Sequence, residues 1–145
     1  MIISFCGHSD FLATEEYEQK MLSIFEELIL DMPVDLYLGG YGAFDRFAYD
    51  CGKRYQKTHP NVKLIFVTPY LRFANGFDET QYDGILYPEL ENVPLKFAIA
   101  RRNRFMMECA DVVIAYIDHS FGGAYQSYQH AKRKGKTVFN LVEIM

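Results

Sequence analysis

A short apolar segment that stops at three closely spaced glycines restricts the fold of this chain more than any other feature. Residues 34–38 are followed by Gly39, Gly40 and Gly42, and a helical pattern begins directly after them. Glycine permits tight turns and lets main-chain N–H groups approach a ligand. The following helix directs its positive end at the turn, which favours an anion there. The segment predicts a strand–turn–helix unit that either holds a phosphate or needs glycine for geometry alone.

Strand-like apolar segments alternate with helical patterns along the chain. The predicted strands cover residues 1–6, 34–38, 62–67, 111–117 and 137–141. This alternation predicts an α/β protein, with a three-layer Rossmann-like fold, a mainly parallel five-stranded sheet and helices on both faces. We expect a single domain over residues 1–145, with the first strand central. Residues 69–94 are predicted to be irregular because they are rich in turn signals.

Charge and cysteine content bear on the partners and the location of the chain. The formal net charge is -4, which argues against a general nucleic-acid or anionic-membrane surface. The three widely spaced cysteines are typical of thiols in a reducing compartment rather than of disulfides or a zinc site. The sequence has no signal-peptide pattern and no long apolar segment. We therefore expect a cytoplasmic protein without membrane contact.

Three loops should meet at the edge of the sheet where the parallel strands end. They are residues 7–10, 39–45 and 118–123, and ligands of such sheets bind at this edge. The candidate ligand-binding residues in these loops are Gly7, His8, Ser9, Gly39, Gly40, Gly42, Gly122 and Gly123. Two glycine turns on one sheet suggest two phosphates, or a phosphate and a sugar, although alternating folds also use glycine there for geometry alone.

Arg102 is the most informative single residue. It falls on the apolar stripe of the helical pattern at residues 95–110, and not on the outer face with its charged neighbours. An inward guanidinium needs an anionic partner, because its burial alone is unfavourable. It could clamp a phosphate or carboxylate, or it could pair internally with Asp45, Asp111 or Asp118. Asn103 could hydrogen-bond a ribose or serve helix packing.

The sequence contains no complete catalytic set. Asp45 and Asp118 are the best-placed carboxylates for base chemistry, and His8 could transfer a proton, although Asp45 could equally brace the glycine turn. Three further histidines show no metal-ligand spacing, so no metal site is predicted. These are His59, His119 and His130. No cofactor is implied.

Several sequence pieces together resemble the SLOG superfamily, a Rossmann-like group that includes the LOG phosphoribohydrolases and the DprA-type DNA-processing proteins. The pieces are Phe5-Cys6-Gly7-His8, Leu38-Gly39-Gly40-Tyr41-Gly42-Ala43-Phe44-Asp45, Arg102-Asn103-Arg104-Phe105-Met106, and Asp111-Val112-Val113-Ile114-Ala115-Tyr116 followed by Gly122-Gly123-Ala124-Tyr125. Within the superfamily, the sequence is most similar to the DUF1273-like group of small bacterial proteins, typified by YpsA. The resemblance spans nearly the whole chain.

This resemblance implies a pocket for a nucleotide or nucleotide derivative, and it implies that the chain forms a homodimer. Arg102 matches an arginine that LOG enzymes use on the same helix. Gln129 stands where those enzymes have a glutamate after their second glycine motif. Glutamine cannot supply the carboxylate that stabilises an oxocarbenium-like transition state, so LOG-type hydrolysis is not expected. For the DprA branch, the acidic balance argues against nucleic acid as a partner.

Two hypotheses about function follow. The first is a cytoplasmic protein that binds a nucleotide-like small molecule, such as an ADP-ribose-like compound, for sensing or regulation. Arg102 would hold its phosphate, and residues 70–87 would cover its base. The alternative is an enzyme that hydrolyses or transfers an N-glycosidic bond with Asp45 or Asp118 and His8. A third hypothesis makes the glycine loops purely architectural.

Overall fold

Short buried strands and amphipathic helices alternate in the structure as the sequence predicts. The computed structural model describes residues 1–144. The strands are β1 (Ile2–Gly7), β2 (Val34–Leu38), β3 (Val62–Val67), β4 (Gly84–Leu86), β5 (Val112–Tyr116) and β6 (Thr137–Asn140). The α-helices are α1 (Glu15–Leu28), α2 (Ala43–Gln56), α3 (Ala98–Cys109) and α4 (Gly123–Arg133), with 3₁₀ turns at Glu79–Gln81 and Leu95–Phe97. The predicted bounds of β2 and β3 are confirmed.

The six strands form one parallel sheet with the order β4-β3-β2-β1-β5-β6. The chain builds outward from β1 through β2 and β3 to β4, and it then returns to the other side of β1 to form β5 and β6. The strand order therefore reverses between β1 and β5, and the predicted interior position of β1 is confirmed. Loops that leave β1, β2 and β5 meet beside this reversal, which is where open α/β sheets bind ligands.

Alternate residues of β1 face two different helix layers. Ile3 and Phe5 are buried in the core that α1 and α2 cover. Cys6 is buried in a second core beneath α3 and α4, and the Ser4 hydroxyl donates a hydrogen bond of 2.7 Å to the carbonyl oxygen of Met106 in α3. Because successive side chains of a strand point to opposite faces, one apolar strand can support both layers. The predicted three-layer arrangement is confirmed.

The sheet has six strands, and the predicted number of five is wrong. The additional strand, β4, lies inside the segment that was predicted to be irregular, and it pairs with residues 65–67 of β3. The Asp83 carboxylate holds it in place by accepting a hydrogen bond of 2.8 Å from the Leu64 N–H. Only three residues form this strand, beside an Asp-Gly turn signal, so it has no periodicity that the sequence could reveal.

Aromatic residues of the 69–94 segment pack on the sheet. The rings of Phe77 and Tyr82 lie with their centroids 4.7 and 5.2 Å from that of Phe66 in β3. This packing places the segment beside β3 and β4, away from the reversal of strand order. The segment contributes no lining residue to the main cavity described below, which contradicts its predicted role as a cover for a bound base.

Two further findings concern the environment of the chain. None of the helices formed by residues 1–144 has the length and apolar character that a membrane crossing requires. Cys6 and Cys51 are buried free thiols, and Cys109 is a half-buried one. Burial raises the pKa of both Cys6 and Cys51 to about 12, so these thiols stay protonated and unreactive at neutral pH.

Candidate functional site

A cavity of about 460 Å³ opens where β1, β2 and β5 end. The β1–α1 loop, the β2–α2 turn, the β5–α4 turn and the inner face of α3 surround it. Its lining includes nine of the predicted site residues, namely Gly7, His8, Ser9, Gly39, Asp45, Arg102, Asn103, Gly122 and Gly123. The three loops that the sequence predicted to converge therefore do so. Asp118 lies beside the cavity and does not line it.

The remaining two predicted glycines lie on the far side of the β2–α2 turn. Gly40 and Gly42 line a smaller cavity of about 200 Å³ that faces the 69–94 segment. Their backbone φ angles are +72° and +91°, values that glycine adopts without strain. Glycine is thus required at both positions by the geometry of the turn itself.

Asp45 braces the β2–α2 turn from within. Its carboxylate accepts hydrogen bonds from the Gly39 N–H, at 3.0 Å, and from the Gly40 N–H. Burial raises the pKa of Asp45, while these two main-chain donors and the charge of Arg102 act in the opposite direction. Both N–H groups are therefore satisfied inside the protein. They are not free to hold a phosphate, which is the role that the sequence had suggested for them. The carboxylate acts as the brace, which the sequence left as the second interpretation.

The Arg102 side chain points inward, as predicted, and is only 4% exposed. Its Nη1 donates to the carbonyl oxygens of Gly39, at 2.9 Å, and Val67, at 2.7 Å, while Nε donates to the Asn103 side chain. Burial lowers the pKa of Arg102, and the nearby charge of Asp45 opposes this shift. The guanidinium thus joins the ends of β2 and β3 at the floor of the cavity.

No carboxylate of residues 1–144 lies within 4.0 Å of the Arg102 guanidinium nitrogens. Internal pairing, the alternative that the sequence left open, is therefore not what satisfies this cation. Asp111 instead accepts a hydrogen bond from the Ile2 N–H, and Asp118 contacts two histidines. Within the same residues, Nη2 donates to no protein group, so one face of the cation remains available to the cavity.

The β5–α4 turn differs from the β2–α2 turn in leaving its backbone open. Gly122 has a φ of +93° and caps α4 without a side-chain hydrogen bond. A Cβ atom added to Gly122 or Gly123 would meet no atom within 4 Å. The first N–H groups of a helix have no partner within the helix, and here they begin at the cavity wall. This turn is therefore better suited than the β2–α2 turn to bind an anion.

His8 forms part of the opposite wall. It is 5% exposed, and its ring stacks on that of His119 with the centroids 3.5 Å apart. The Asp118 N–H donates to His8 Nε2 over 3.3 Å. Burial and the proximity of His119 lower the pKa of His8, and the negative charges of Asp118 and Asp10 oppose them. The His8 imidazole is therefore neutral at neutral pH.

Two aromatic side chains at the rim were missed by the sequence analysis. Tyr41 is 81% exposed and Phe121 is 70% exposed, and both line the cavity. They belong to the β2–α2 and β5–α4 turns, so they lie on either side of the end of β1. A signal was present in the sequence, because an aromatic residue stands within or next to the glycines of both turns. Large exposed rings beside a concave site are typical of recognition surfaces.

Gln129, which occupies the position of a catalytic glutamate in the LOG motif, is outside the cavity lining. Its side-chain amide donates to the hydroxyl of Tyr125, one turn earlier in α4. Neither the residue type nor its location supplies a carboxylate to the cavity.

The fold and this site define a Rossmann-like protein with a cavity at the switch in strand order. No protein family profile matches the chain, and no curated protein sequence is significantly similar to it. Solved structures do share the fold. DNA processing protein A from Helicobacter pylori superimposes with a TM-score of 0.67 at 22% identity, over 97% of this chain and 64% of that protein. It is described as having a unique mode of binding single-stranded DNA.

Two further solved structures share the same fold. DNA processing protein A (DprA) from Streptococcus pneumoniae has a TM-score of 0.66 at 18% identity, covering 95% of this chain and 49% of its own length. The structural genomics target TM1055 has a TM-score of 0.60 at 12% identity, covering 94% and 71%. The chain thus spans less than two thirds of each DNA-processing protein. These structures confirm the fold that the SLOG resemblance implies, whereas the DUF1273-like assignment is not confirmed.

These neighbours overturn the predicted function. The prediction of a nucleotide-sensing protein, with nucleoside processing as its alternative, is wrong. Two of the structural neighbours are DNA-processing proteins, and one of these is described as binding single-stranded DNA. The prediction that nucleic acid is not a partner is wrong for the same reason. It rested on the net charge, which averages over the whole surface and does not report the charge at one cavity. Neither the small-molecule ligand nor the homodimer finds support.

Proposed function

We propose that this protein binds single-stranded DNA at the cavity where β1, β2 and β5 end. The observation that carries the proposal is the pair of exposed rings, Tyr41 and Phe121, on the two sides of a cavity whose floor holds Arg102. Single-stranded nucleic acids are bound by aromatic side chains that stack on bases and by cations that neutralise the backbone. This site combines both chemistries within one concave surface.

Stacking favours a single strand over a duplex. The bases of a duplex stack on one another, so their faces are not available to a protein ring, whereas an unpaired strand can turn its bases outward. Stacking on an aromatic side chain contributes about 1–3 kcal/mol per base, and it tolerates any sequence because every base has a flat face. We therefore expect binding with little sequence preference.

The phosphate contacts would come from two places. The free face of the Arg102 guanidinium is aimed at the cavity, and the α4 N-terminus at Gly122 and Gly123 presents main-chain N–H groups. Both favour a phosphate, the first by charge and the second by hydrogen bonding together with the helix dipole. The net charge of -4 limits the number of such contacts, so the affinity should fall only moderately with added salt.

The similarity to DNA processing protein A of Helicobacter pylori supports the proposal independently of the site geometry. The three free cysteines are compatible with a reducing compartment, and we propose the cytoplasm as the location.

Fluorescence anisotropy with a labelled single-stranded oligonucleotide tests the proposal, with the duplex of the same sequence as a competitor. Removing one ring, by Tyr41→Ala or Phe121→Ala, should weaken binding by about 5- to 150-fold. Tyr41→Phe keeps the ring and should bind like the wild type. Met32→Ala is the matched control, because Met32 is also an exposed apolar residue but precedes β2 at the opposite edge of the sheet.

Two results would refute the proposal. One is a lack of binding to any single-stranded oligonucleotide at low salt. The other is a double variant that lacks the rings of both Tyr41 and Phe121 and still binds as tightly as Met32→Ala.

A further inference from the structure

Three side chains with metal-binding atoms meet at the wall of the cavity. His8 comes from the end of β1, whereas Asp118 and His119 come from the loop after β5. One ligand atom of each lies within 4.8 Å of the others. His8 Nε2 is 3.4 Å from Asp118 Oδ1, and His119 Nδ1 is 2.6 Å from the same oxygen. Two imidazoles and one carboxylate are a common ligand set for Zn²⁺ and related ions.

The separations suit a small divalent ion after a limited adjustment. Ligand atoms about 2.0–2.1 Å from a tetrahedral Zn²⁺ are about 3.3 Å apart. The distance from His8 Nε2 to the Asp118 carboxylate already has this value, and the distance from His119 to Asp118 must widen. Because an ion lies in the plane of each imidazole that binds it, the His119 ring must also tilt out of its stack on His8. His119 is partly exposed in a loop, so this movement displaces no core residue.

Besides the clustering of the three side chains, the environment of His8 favours a ligand here. An imidazole that is only 5% exposed lines the cavity, and its Nε2 accepts only a long hydrogen bond of 3.3 Å from the Asp118 N–H. The Nε2 lone pair is therefore weakly engaged, and Asp118 Oδ1 lies 3.4 Å from this nitrogen. A metal ion bound there would satisfy His8, Asp118 and His119 together.

We propose that His8, Asp118 and His119 bind one divalent transition-metal ion, with Zn²⁺ as the best match to the ligand set. Three protein ligands leave at least one coordination position open, and the cavity lies beside it. A phosphate oxygen of bound DNA can occupy that position, and this last step rests on the proposed function. The sequence placed the loops of His8 and Asp118 at the same edge of the sheet but did not indicate a metal site, because 110 positions separate the two residues.

Metal binding is tested first without DNA, on protein that has been freed of metal with a chelator. Titration calorimetry with Zn²⁺, and the visible absorption of added Co²⁺, should each report one tight site per chain. His119→Ala and the conservative Asp118→Asn should each weaken Zn²⁺ binding by at least about 10-fold. Far-UV circular dichroism checks that both variants are folded.

His130→Ala and His59→Ala are the matched controls. His130 pairs with Glu108, and His59 stacks on Tyr55, both outside the cavity lining. These variants should bind Zn²⁺ like the wild type. A wild-type protein that binds no Zn²⁺, or binding that the cavity variants leave unchanged, would overturn the site.

Measuring DNA affinity with and without Zn²⁺ separates the two proposals. We expect Zn²⁺ to tighten DNA binding in the wild type and to have no such effect in His119→Ala. Tight Zn²⁺ binding without any DNA binding would refute the proposed function and support the metal site. Equal DNA affinity with and without bound Zn²⁺ would refute the phosphate contact alone.

Discussion

Replacing Arg102 with methionine should destabilise the fold, because this guanidinium joins two strands. Its Nη1 donates to the Gly39 and Val67 carbonyl oxygens, which follow β2 and end β3. Methionine retains an apolar stem of similar length but has no donor. Both carbonyl groups would then lose a hydrogen bond, at a buried position for Val67 and at a half-buried one for Gly39.

The magnitude follows from two opposing effects. A buried group left without its partner costs about 1–3 kcal/mol, so two carbonyls amount to about 2–6 kcal/mol. Removing a cation whose burial is unfavourable offsets part of this loss. We expect a net decrease of about 2–4 kcal/mol in the free energy of unfolding, which lowers Tm by about 4–16 °C for a chain of this size.

The effect of Arg102→Met should also depend on pH. Burial raises the pKa of Asp45, and the charge of Arg102 is among the factors that lower it. Without that charge, the pKa of Asp45 in the folded protein rises further above its value in the unfolded chain. Stability then falls as the pH rises from the pKa of Asp45 in the unfolded chain to its pKa in the folded protein, because Asp45 ionises more easily in the unfolded chain. The loss in free energy of unfolding caused by Arg102→Met should therefore be larger at neutral pH than at mildly acidic pH.

Urea unfolding followed by far-UV circular dichroism measures both effects. Arg101→Met is the matched control, since Arg101 is the preceding residue of α3 and is exposed. Exposed substitutions of this kind usually change stability by less than about 0.5 kcal/mol. If Arg102→Met and Arg101→Met unfold at the same urea concentration, the guanidinium does not hold the two strands and our reasoning is refuted.

Three further substitutions test other contacts by the same unfolding measurement. Gly7→Ala would place a Cβ atom 2.2 Å from Cγ of Phe44, and this overpacking should cost about 1–3 kcal/mol; an unchanged Tm would contradict the contact. Asn140→Ala removes hydrogen bonds to both the N–H and the carbonyl of Ile117, at about 1–3 kcal/mol for each group left unpaired. Burial raises the pKa of Asp83, but hydrogen bonds from a β3 amide and an α2 glutamine lower it below its ordinary value. Its stabilising contribution is therefore present above the ordinary carboxyl pKa and is lost as the pH falls through the lowered one, so Asp83→Asn should unfold with a weaker acid dependence than the wild type.

The layers of the fold were predictable because their signals are local. A buried parallel strand is a continuous apolar run, and an amphipathic helix repeats its apolar residues every three or four positions. Both patterns are present for β2 and β3, whose predicted bounds agree with the structure. β4 was missed because three residues cannot display a period, and its stability comes from pairing with β3 and from Asp83.

The candidate site was predictable in position more than in chemistry. Helical periodicity placed Arg102 inward, and the structure confirms this. Its partners could not be predicted, since they are main-chain carbonyls and every residue has one. Tyr41 and Phe121 were not predicted, although an aromatic residue stands within or next to the glycines of each turn.

What the sequence determined by itself is the alternation of five of the six strands with helices, the two glycine turns and the inward direction of one arginine. All of these depend on residues a few positions apart. Only the tertiary structure decided that Asp45 satisfies the amides of the first turn, that the second turn stays open, and that His8 meets Asp118 and His119. Such contacts depend on how distant segments pack, and the free energy of packing is shared by the whole core rather than encoded at any one position.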